Sequence, residues 1–233
     1  MSGINRAKAL ALTALALCSL TAMMASSAQA TWLVGAGELV SGLRGIWTRG
    51  PHTPIKLVIS ARNIEVRCEA ASAGSSSILG STNKAVAEAS ISPLFWECET
   101  FALSSGALQS KCTPENQPIT VGGRALVILH NSKNYVLFEP GLGQPFTTIE
   151  FPETCALTET SNVTGSLVAE CGTLSFAAFK GEDCAVKRKE HLLRAAPASL
   201  FEADKLKFGA NAATLEGIGA VELLTEEEWA GHV

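Results

Sequence analysis

The sequence lacks several residue patterns on which common hydrolases depend. No G-x-S-x-G motif occurs, because the nearest fragments, Gly80-Ser81 and Gly165-Ser166, lack the second glycine, and this argues against a serine hydrolase of that type. Zinc hydrolysis is disfavoured as well, because no H-E-x-x-H motif or distinctive histidine pair is present to supply ligands. The four histidines are scattered along the chain: His52, His130, His191 and His232.

Aspartate, methionine and positive charge are also scarce. The chain has two aspartates, Asp183 and Asp204, whereas extracellular calcium loops use Asp and Asn at alternate positions. All three methionines lie within the first 24 residues. The formal net charge is −4 and becomes more negative without Arg6 and Lys8, which argues against nucleic acid or an anionic membrane as the main partner. We therefore predict no metal, no cofactor and no nucleic-acid partner.

The one marked apolar run lies at the N-terminus. Arg6 and Lys8 precede an apolar stretch over residues 9–20, and Ala28-Gln29-Ala30 follows. This order is typical of a cleaved signal peptide, and the apolar stretch is shorter than the ~20 residues of a membrane span. Cys18 raises the alternative of a lipidation site, but Leu17 occupies a position where a small residue is needed. We predict a signal peptide over 1–30 and a single domain over 31–233.

No segment of the remaining chain carries a sustained helical period, whereas many short segments favour β-structure. The clearest alternation is residues 64–69, where Ile64, Val66 and Cys68 share one face. Many short strands separated by Gly, Pro and Asn predict an all-β antiparallel sandwich or barrel. Strands are expected near residues 55–60, 64–69, 78, 85–91, 95–99, 125–129, 135–138, 146–151, 163–171, 173–179, 205–208 and 221–224, and one helical turn at 225–229.

A central hairpin is predicted within residues 119–138. Two apolar runs, 125–129 and 135–138, flank Asn131-Ser132-Lys133-Asn134, as in a β-hairpin with a short turn. Neither run alternates cleanly between apolar and polar residues. We therefore expect this hairpin to be buried on both faces, in the middle of the core.

Six cysteines follow the predicted signal peptide, and an even number in an exported chain predicts a disulfide framework. A zinc site is the competing interpretation, but it would need closer pairs such as C-x2-C. Cys68 and Cys98 each lie on the inward side of an alternating strand, which favours their pairing. The sequential pattern continues with the other four, Cys112–Cys155 and Cys171–Cys184; the main rival joins Cys98 to Cys112 and Cys68 to Cys155.

The order of these motifs resembles a group of uncharacterised secreted β-rich bacterial proteins. The resemblance spans most of residues 31–233, and it implies export and an all-β fold but no active site. Cys171 and Cys184 lie outside the four-cysteine pattern of the group. The residues that carry it are Ile64 to Cys68, Phe95 to Cys98, Cys112, Val136-Leu137-Phe138, Pro140-Gly141, Cys155, Gly165-Ser166, Leu206 to Gly209, Ala213 to Leu215, Gly217 and Trp229.

Two patterns could carry a function. Glu97 and Glu99 share one face of a strand at roughly 7 Å, which falls within the ~5–9.5 Å separations that glycosidases use. A solvated outer face explains this pair more simply, because catalytic pairs lie across a cleft on different elements. The four tryptophans, Trp32, Trp47, Trp96 and Trp229, could form a platform for sugars, although Trp96 is expected in the core.

Taken together, these patterns predict a secreted, disulfide-stabilised all-β domain that acts without catalysis as a structural or binding module. Its partner would be a protein or glycan at the cell surface or outside the cell. The alternative is a carboxylate-based extracellular hydrolase such as a carbohydrate-active enzyme. An enzyme requires a concave pocket with convergent carboxyls, whereas a binding module requires an apolar or flat polar surface.

Overall fold

The computed structural model describes residues 30–38, 43–47, 51–79, 88–157, 161–176, 178–197, 200–201 and 205–233. Apart from Ala30, the predicted signal peptide lies outside the described residues. The strand predicted at 85–91 begins in a gap of the described residues, which covers its first three positions, so only residues 88–91 can be assessed.

The described chain is all-β, as the sequence predicts, and its helical content is limited to two 3-10 turns, Ser60–Arg62 and Ser110–Cys112. Short apolar segments bounded by Gly, Pro and Asn account for this, because none is long enough to form an amphipathic helix. The strands are β1 (Thr31–Val34), β2 (Gly37–Glu38), β3 (Leu43–Trp47), β4 (Pro51–Ile59), β5 (Ile64–Ser72), β6 (Ser77–Leu79), β7 (Glu88–Ile91), β8 (Leu94–Ala102), β9 (Ile119–Thr120), β10 (Gly123–His130), β11 (Lys133–Glu139), β12 (Thr147–Thr148), β13 (Asn162–Thr164), β14 (Leu167–Ser175), β15 (Ala178–Glu182), β16 (Glu190–Ala195), β17 (Lys207–Phe208), β18 (Asn211–Ala212), β19 (Thr214–Leu223) and β20 (Trp229–His232).

An antiparallel barrel forms the centre of the fold. Its strands follow the order β14-β11-β10-β7-β6-β3-β19-β16, and β16 closes the ring because it pairs with both β19 and β14. Closure satisfies the backbone hydrogen bonds that an open sheet would leave at its edges. We call the apolar cluster inside it the barrel core; among its members are Ile78, Ala125, Val127, Val136 and Leu223.

The predicted hairpin is part of this barrel wall. β10 and β11 pair from Arg124–Glu139 to His130–Lys133, and the two turn residues, Asn131 and Ser132, have φ values of 49° and 60°. Positive φ at both positions is what a two-residue type I′ hairpin turn requires, and asparagine tolerates it well.

The expectation that this hairpin is buried on both faces is correct for the start of β11, where Tyr135 and Val136 are both buried, but wrong for β10. Ala125 and Val127 point into the barrel and are 3% and 4% exposed, whereas Leu129, on the same face beside the turn, is 47% exposed. Leu126 and Ile128 are only half-buried on the outer side. A barrel wall has one filled face, so the continuous apolar run reflects partial cover of the outer face by neighbouring side chains such as Phe201.

A second apolar cluster lies beside the barrel. β19 is longer than the barrel needs, and its first half pairs with β4, from which β5, β8 and β9 continue the sheet outward. A small sheet of β12, β13, β17 and β18 supplies the opposing side chains. We call this cluster the sandwich core; Leu57, Val66, Ile119, Ile149 and Phe208 belong to it.

A third sheet, β2-β1-β20, packs against the barrel strands β10 and β11. Its side chains Trp32 and Trp229 belong to the barrel core. Gly231 makes this approach possible, because a Cβ at that position would lie 2.5 Å from Cγ2 of Val127. The close backbone approach therefore requires glycine at residue 231.

Several details differ from the expectations, and three of them concern the barrel. The helical turn predicted at 225–229 is absent: residues 224–225 form a turn, and Trp229 begins β20. The predicted strand break at Cys171-Gly172 is also wrong, because β14 runs through both residues and the hairpin turns after Ser175 instead. Strand β16 was missed, because its charged residues Glu190 and Arg194 obscure the apolar pattern of a strand paired on both edges.

Candidate functional site

An apolar cavity of about 320 Å³ lies between the barrel core and the sandwich core. Its wall includes Ala125, Val136 and Trp229 from the barrel core and Leu57 and Val66 from the sandwich core. The volume is at the lower end of the range for small-molecule sites, ~300–1,000 Å³. A cavity of this kind is the strongest candidate site in the described residues.

The cavity exists because small residues occupy wall positions where other barrels place large ones. Ala89 and Ala125 are cross-strand partners on the adjacent strands β7 and β10, so they lie side by side in the wall, and both are almost fully buried. A barrel of eight strands can fill its interior only if its inward side chains are large enough. The small wall residues are Ala71, Ala73, Ala89, Ala125, Ala169, Ala195, Ala220, Gly217 and Gly219.

Few polar side chains line the described wall of the cavity, and their hydroxyl groups are already engaged. The hydroxyl of Ser76 donates to the carbonyl of Ala73 and accepts from the amide of Ser92. The hydroxyl of Ser72 accepts from the amide of Gly74 at 3.3 Å, and that of Thr147 donates to the Thr148 carbonyl at 3.5 Å. The described wall therefore offers apolar contact and little hydrogen bonding.

Arg194 is the charged residue of the described wall, and its guanidinium is committed elsewhere. Its Nε and Nη2 donate to Oε1 of Glu170 at 3.1 and 2.6 Å. The guanidinium also lies 4.2 Å from the ring centre of Phe179, as in a cation–π contact. Glu170 also pairs with a second cation, Lys133, whose Nζ lies 3.7 Å from Oε2 of Glu170.

Two tryptophans contribute to the cavity wall, and their burial overturns part of the predicted sugar platform. Trp32 and Trp229 are 2% and 3% exposed, with ring centres 5.7 Å apart. The indole of Trp32 donates to the carbonyl of Glu88 at 2.9 Å, whereas Nε1 of Trp229 is buried without a hydrogen-bond partner. Buried rings cannot stack on an external sugar. Trp96 is half-buried on β8.

A buried histidine holds Trp229 in place. His191 on β16 is 1% exposed, and its Nε2 lies 2.8 Å from the carbonyl oxygen of Trp229, to which it donates. The two rings also meet edge to face at 4.4 Å. Burial lowers the pKa of His191 below its usual value, so the neutral ring is favoured.

A shallow polar groove adjoins the cavity at Gly217, which lines both. Its charged residues are Glu216, Lys56 and Arg67, which are cross-strand neighbours in that order on β19, β4 and β5. The two cations also share Glu65, with Lys56 Nζ at 3.8 Å and Arg67 Nε donating at 3.1 Å. The charges around the groove therefore balance one another.

The six cysteines form the disulfides of the sequential pattern: Cys68–Cys98, Cys112–Cys155 and Cys171–Cys184. The rival pairing through Cys98 and Cys112 does not occur. Cys68 and Cys98 are directly opposite each other on β5 and β8, as their shared inward faces predict. Cys171 and Cys184 lie in the barrel core, and Cys68 also contributes to the cavity wall.

The carboxyls considered for catalysis lie elsewhere. Glu97 and Glu99 are exposed on β8, and neither belongs to the described wall of the cavity. Within the described ranges, no group of three or more His, Cys, Asp or Glu side chains is arranged to hold a metal ion.

Sequence reasoning missed the cavity. Its signal is weak: alanines such as Ala89 and Ala125 occupy inward positions next to larger apolar residues. In the sequence, an alanine lowers the β-propensity of its segment, so it indicates a weaker strand and gives no sign of a cavity. The size of the space depends on which walls face each other, and this is set by the tertiary fold.

Neither a scan against protein-family models nor searches of curated proteins and solved structures found a match to this chain. Among the described residues, no helix has the length and apolar character needed to cross a membrane.

Proposed function

We propose that this protein is a secreted, non-catalytic binding module that holds an apolar small molecule in the cavity between its two cores. The observation that carries the proposal is the cavity wall, which is built from aliphatic and aromatic side chains of both cores. Binding sites for small molecules are concave and mostly apolar, with few polar groups. A ligand in this cavity would gain the free energy of apolar burial on all sides.

Catalysis by carboxylates has less support. No Asp or Glu is among the wall residues that the structure describes, and a hydrolase needs two carboxyls that converge on one substrate. The charges of the adjoining groove are paired with one another, which suits a structural role.

Export through a signal peptide is part of the same proposal. Three disulfides support it, because such bonds persist in oxidising compartments. Cleavage after Ala30 would leave all of β1 in the mature chain. N-terminal sequencing of exported protein is expected to begin at Thr31, and material that retains Met1 or carries a lipid on Cys18 would contradict this.

Titration with N-phenyl-1-naphthylamine tests the binding function, because this uncharged dye fluoresces in apolar sites. The wild-type protein is expected to bind one molecule per chain. The double variant Ala89→Leu/Ala125→Leu would fill part of the cavity and is expected to lose binding, since added side chains take the ligand's space.

Ala212→Leu is the matched control, because Ala212 is exposed on β18 and should leave binding unchanged. Thermal unfolding tests whether the double variant is folded. If it is not folded, the single variant Ala89→Leu replaces it. Absence of dye binding to the wild type, or equal binding by the folded cavity variant, would contradict the proposal.

A further inference from the structure

We infer that the ligand of this cavity is an uncharged hydrocarbon chain that extends from the barrel core into the sandwich core. This inference rests on the proposed binding function and deepens it by naming the chemical class. Three properties of the site carry it: the charge balance of the wall, its small number of polar groups and its continuity between the two cores.

The charge balance argues against fatty acids and amines. Arg194 is the cation of the described wall, and Glu170 already neutralises it through two hydrogen bonds. In the adjoining groove, Lys56 and Arg67 pair with Glu65, and Glu216 is the cross-strand neighbour of Lys56. A buried carboxylate or ammonium would find no free counter-charge among these groups, and burial of an unpaired charge is costly.

The hydrogen bonds of the wall argue against a ligand rich in hydroxyls or amides. The hydroxyls of Ser72, Ser76 and Thr147 all have partners within the protein. The indole Nε1 of Trp229 is the one buried donor without a partner among the described side chains, so it could satisfy at most one acceptor. A ligand with several polar groups would lose bonds to water without gaining equivalent ones in the cavity. One uncharged polar end could remain hydrated in the groove beside Gly217, which borders both spaces.

The continuity of the cavity argues for an extended chain. Ile91 and Phe138 pack against both the barrel core and the sandwich core, and both line the cavity. They therefore mark the junction that a molecule must cross to contact Ala125 at one end and Ile149 at the other. A flexible chain can follow a space with a junction of this kind.

Displacement of N-phenyl-1-naphthylamine by 1-decanol, decanoate and decylammonium at about pH 8 tests the charge, because both ions keep their charge there. We expect 1-decanol to compete at least about tenfold more strongly than either ion, since each would bury an unpaired charge. Equal or stronger competition by decanoate or decylammonium would overturn the inference but leave the binding function intact. If the dye itself does not bind, it is the proposed function that fails.

The series from 1-hexanol to 1-decanol tests the extended shape. Affinity is expected to rise about fourfold per methylene, which corresponds to ~0.8 kcal/mol. Ile91→Trp should obstruct the junction and end this rise at a shorter chain while 1-hexanol still binds; Ile91→Val is the matched control.

Phe138→Trp tests the same junction if Ile91→Trp does not fold. An unchanged dependence on chain length in the folded junction variant would show that the ligand does not cross it. A wild-type affinity that does not increase beyond 1-hexanol would contradict the extended chain in the same way.

Discussion

The side chain of Asn134 ties three distant parts of the chain together, and its removal should cost more stability than its size suggests. Asn134 follows the hairpin turn and is 4% exposed. Its Nδ2 donates to Oδ1 of Asp183 at 2.9 Å, and its Oδ1 accepts from the amide of Val233 at 2.9 Å. The backbone carbonyl of Asn134 also accepts a hydrogen bond from the amide of Cys184. The hairpin turn, the third disulfide and Val233, which follows β20, therefore meet at this residue.

Asn134→Ala would remove the two side-chain hydrogen bonds and leave the backbone ones. The bond to the Asp183 carboxylate is worth about 1.5–3 kcal/mol and the neutral bond to Val233 about 0.5–1.5 kcal/mol. We therefore expect the free energy of unfolding to fall by about 2–4.5 kcal/mol, a large part of the ~5–15 kcal/mol available to a domain. Urea denaturation followed by tryptophan fluorescence measures this loss.

Asn116→Ala is a matched control for this change. Like Asn134, Asn116 makes two hydrogen bonds through its side chain. It donates to the Thr148 carbonyl at 2.8 Å and accepts from the Glu150 amide at 3.0 Å. Those bonds are exposed, so water replaces them and the loss should stay within about 1 kcal/mol. Equal losses for Asn116→Ala and Asn134→Ala would refute the argument that burial makes the Asn134 bonds expensive to lose.

The same network predicts a pH dependence through Asp183. Burial raises the pKa of this carboxyl, but hydrogen bonds from Ala185 and Asn134 outweigh it and leave the pKa below its usual value. The folded state therefore favours the charged form, and the stabilisation is present above about pH 3.9 and lost as the pH falls through the folded pKa. Asp183→Asn should be less stable than wild type at neutral pH, and the difference should shrink in acid; a difference independent of pH would contradict the assignment.

The remaining predictions concern the barrel. Val127→Asp should prevent folding because it buries an unpaired carboxylate, whereas Leu129→Asp, at the exposed end of the same strand face, should fold; soluble, cooperatively unfolding Val127→Asp protein would mean the barrel interior is misassigned. Gly231→Ala should lower the melting temperature because its Cβ would meet Val127 at 2.5 Å, while Gly219→Ala, with no atom within 4 Å, should be neutral or stabilising. Wild-type stability should fall as the pH drops below about 6.5, because the unfolded state protonates His191 first, and His191→Gln should flatten this fall in pH-dependent urea denaturation.

The sequence determined the fold class, because the fold class depends on the local periodicity of apolar and polar residues. The alternation of Ile64, Val66 and Cys68 places one face of β5 inward whatever the strand pairs with. The inward position of Cys98 on β8 then made the bond to Cys68 predictable, since two inward cysteines on adjacent strands come within bonding distance. Asn131 likewise favours the hairpin turn, because asparagine tolerates the positive φ that a type I′ turn requires.

Closure of the barrel and the cavity were decided only by the tertiary structure. β16 closes the ring by pairing on both edges, and nothing in the local pattern of Glu190 to Arg194 indicates two partners. The same limit applies to residues 225–229, where a helical capping pattern gives way to β20 because Trp229 is buried in the barrel core. The cavity depends on which small residues become neighbours in space. Ala89 and Ala125 leave space together only because β7 and β10 are adjacent in a closed wall. Local sequence specifies which side of a strand is apolar, whereas the volume enclosed depends on contacts between residues far apart in the chain.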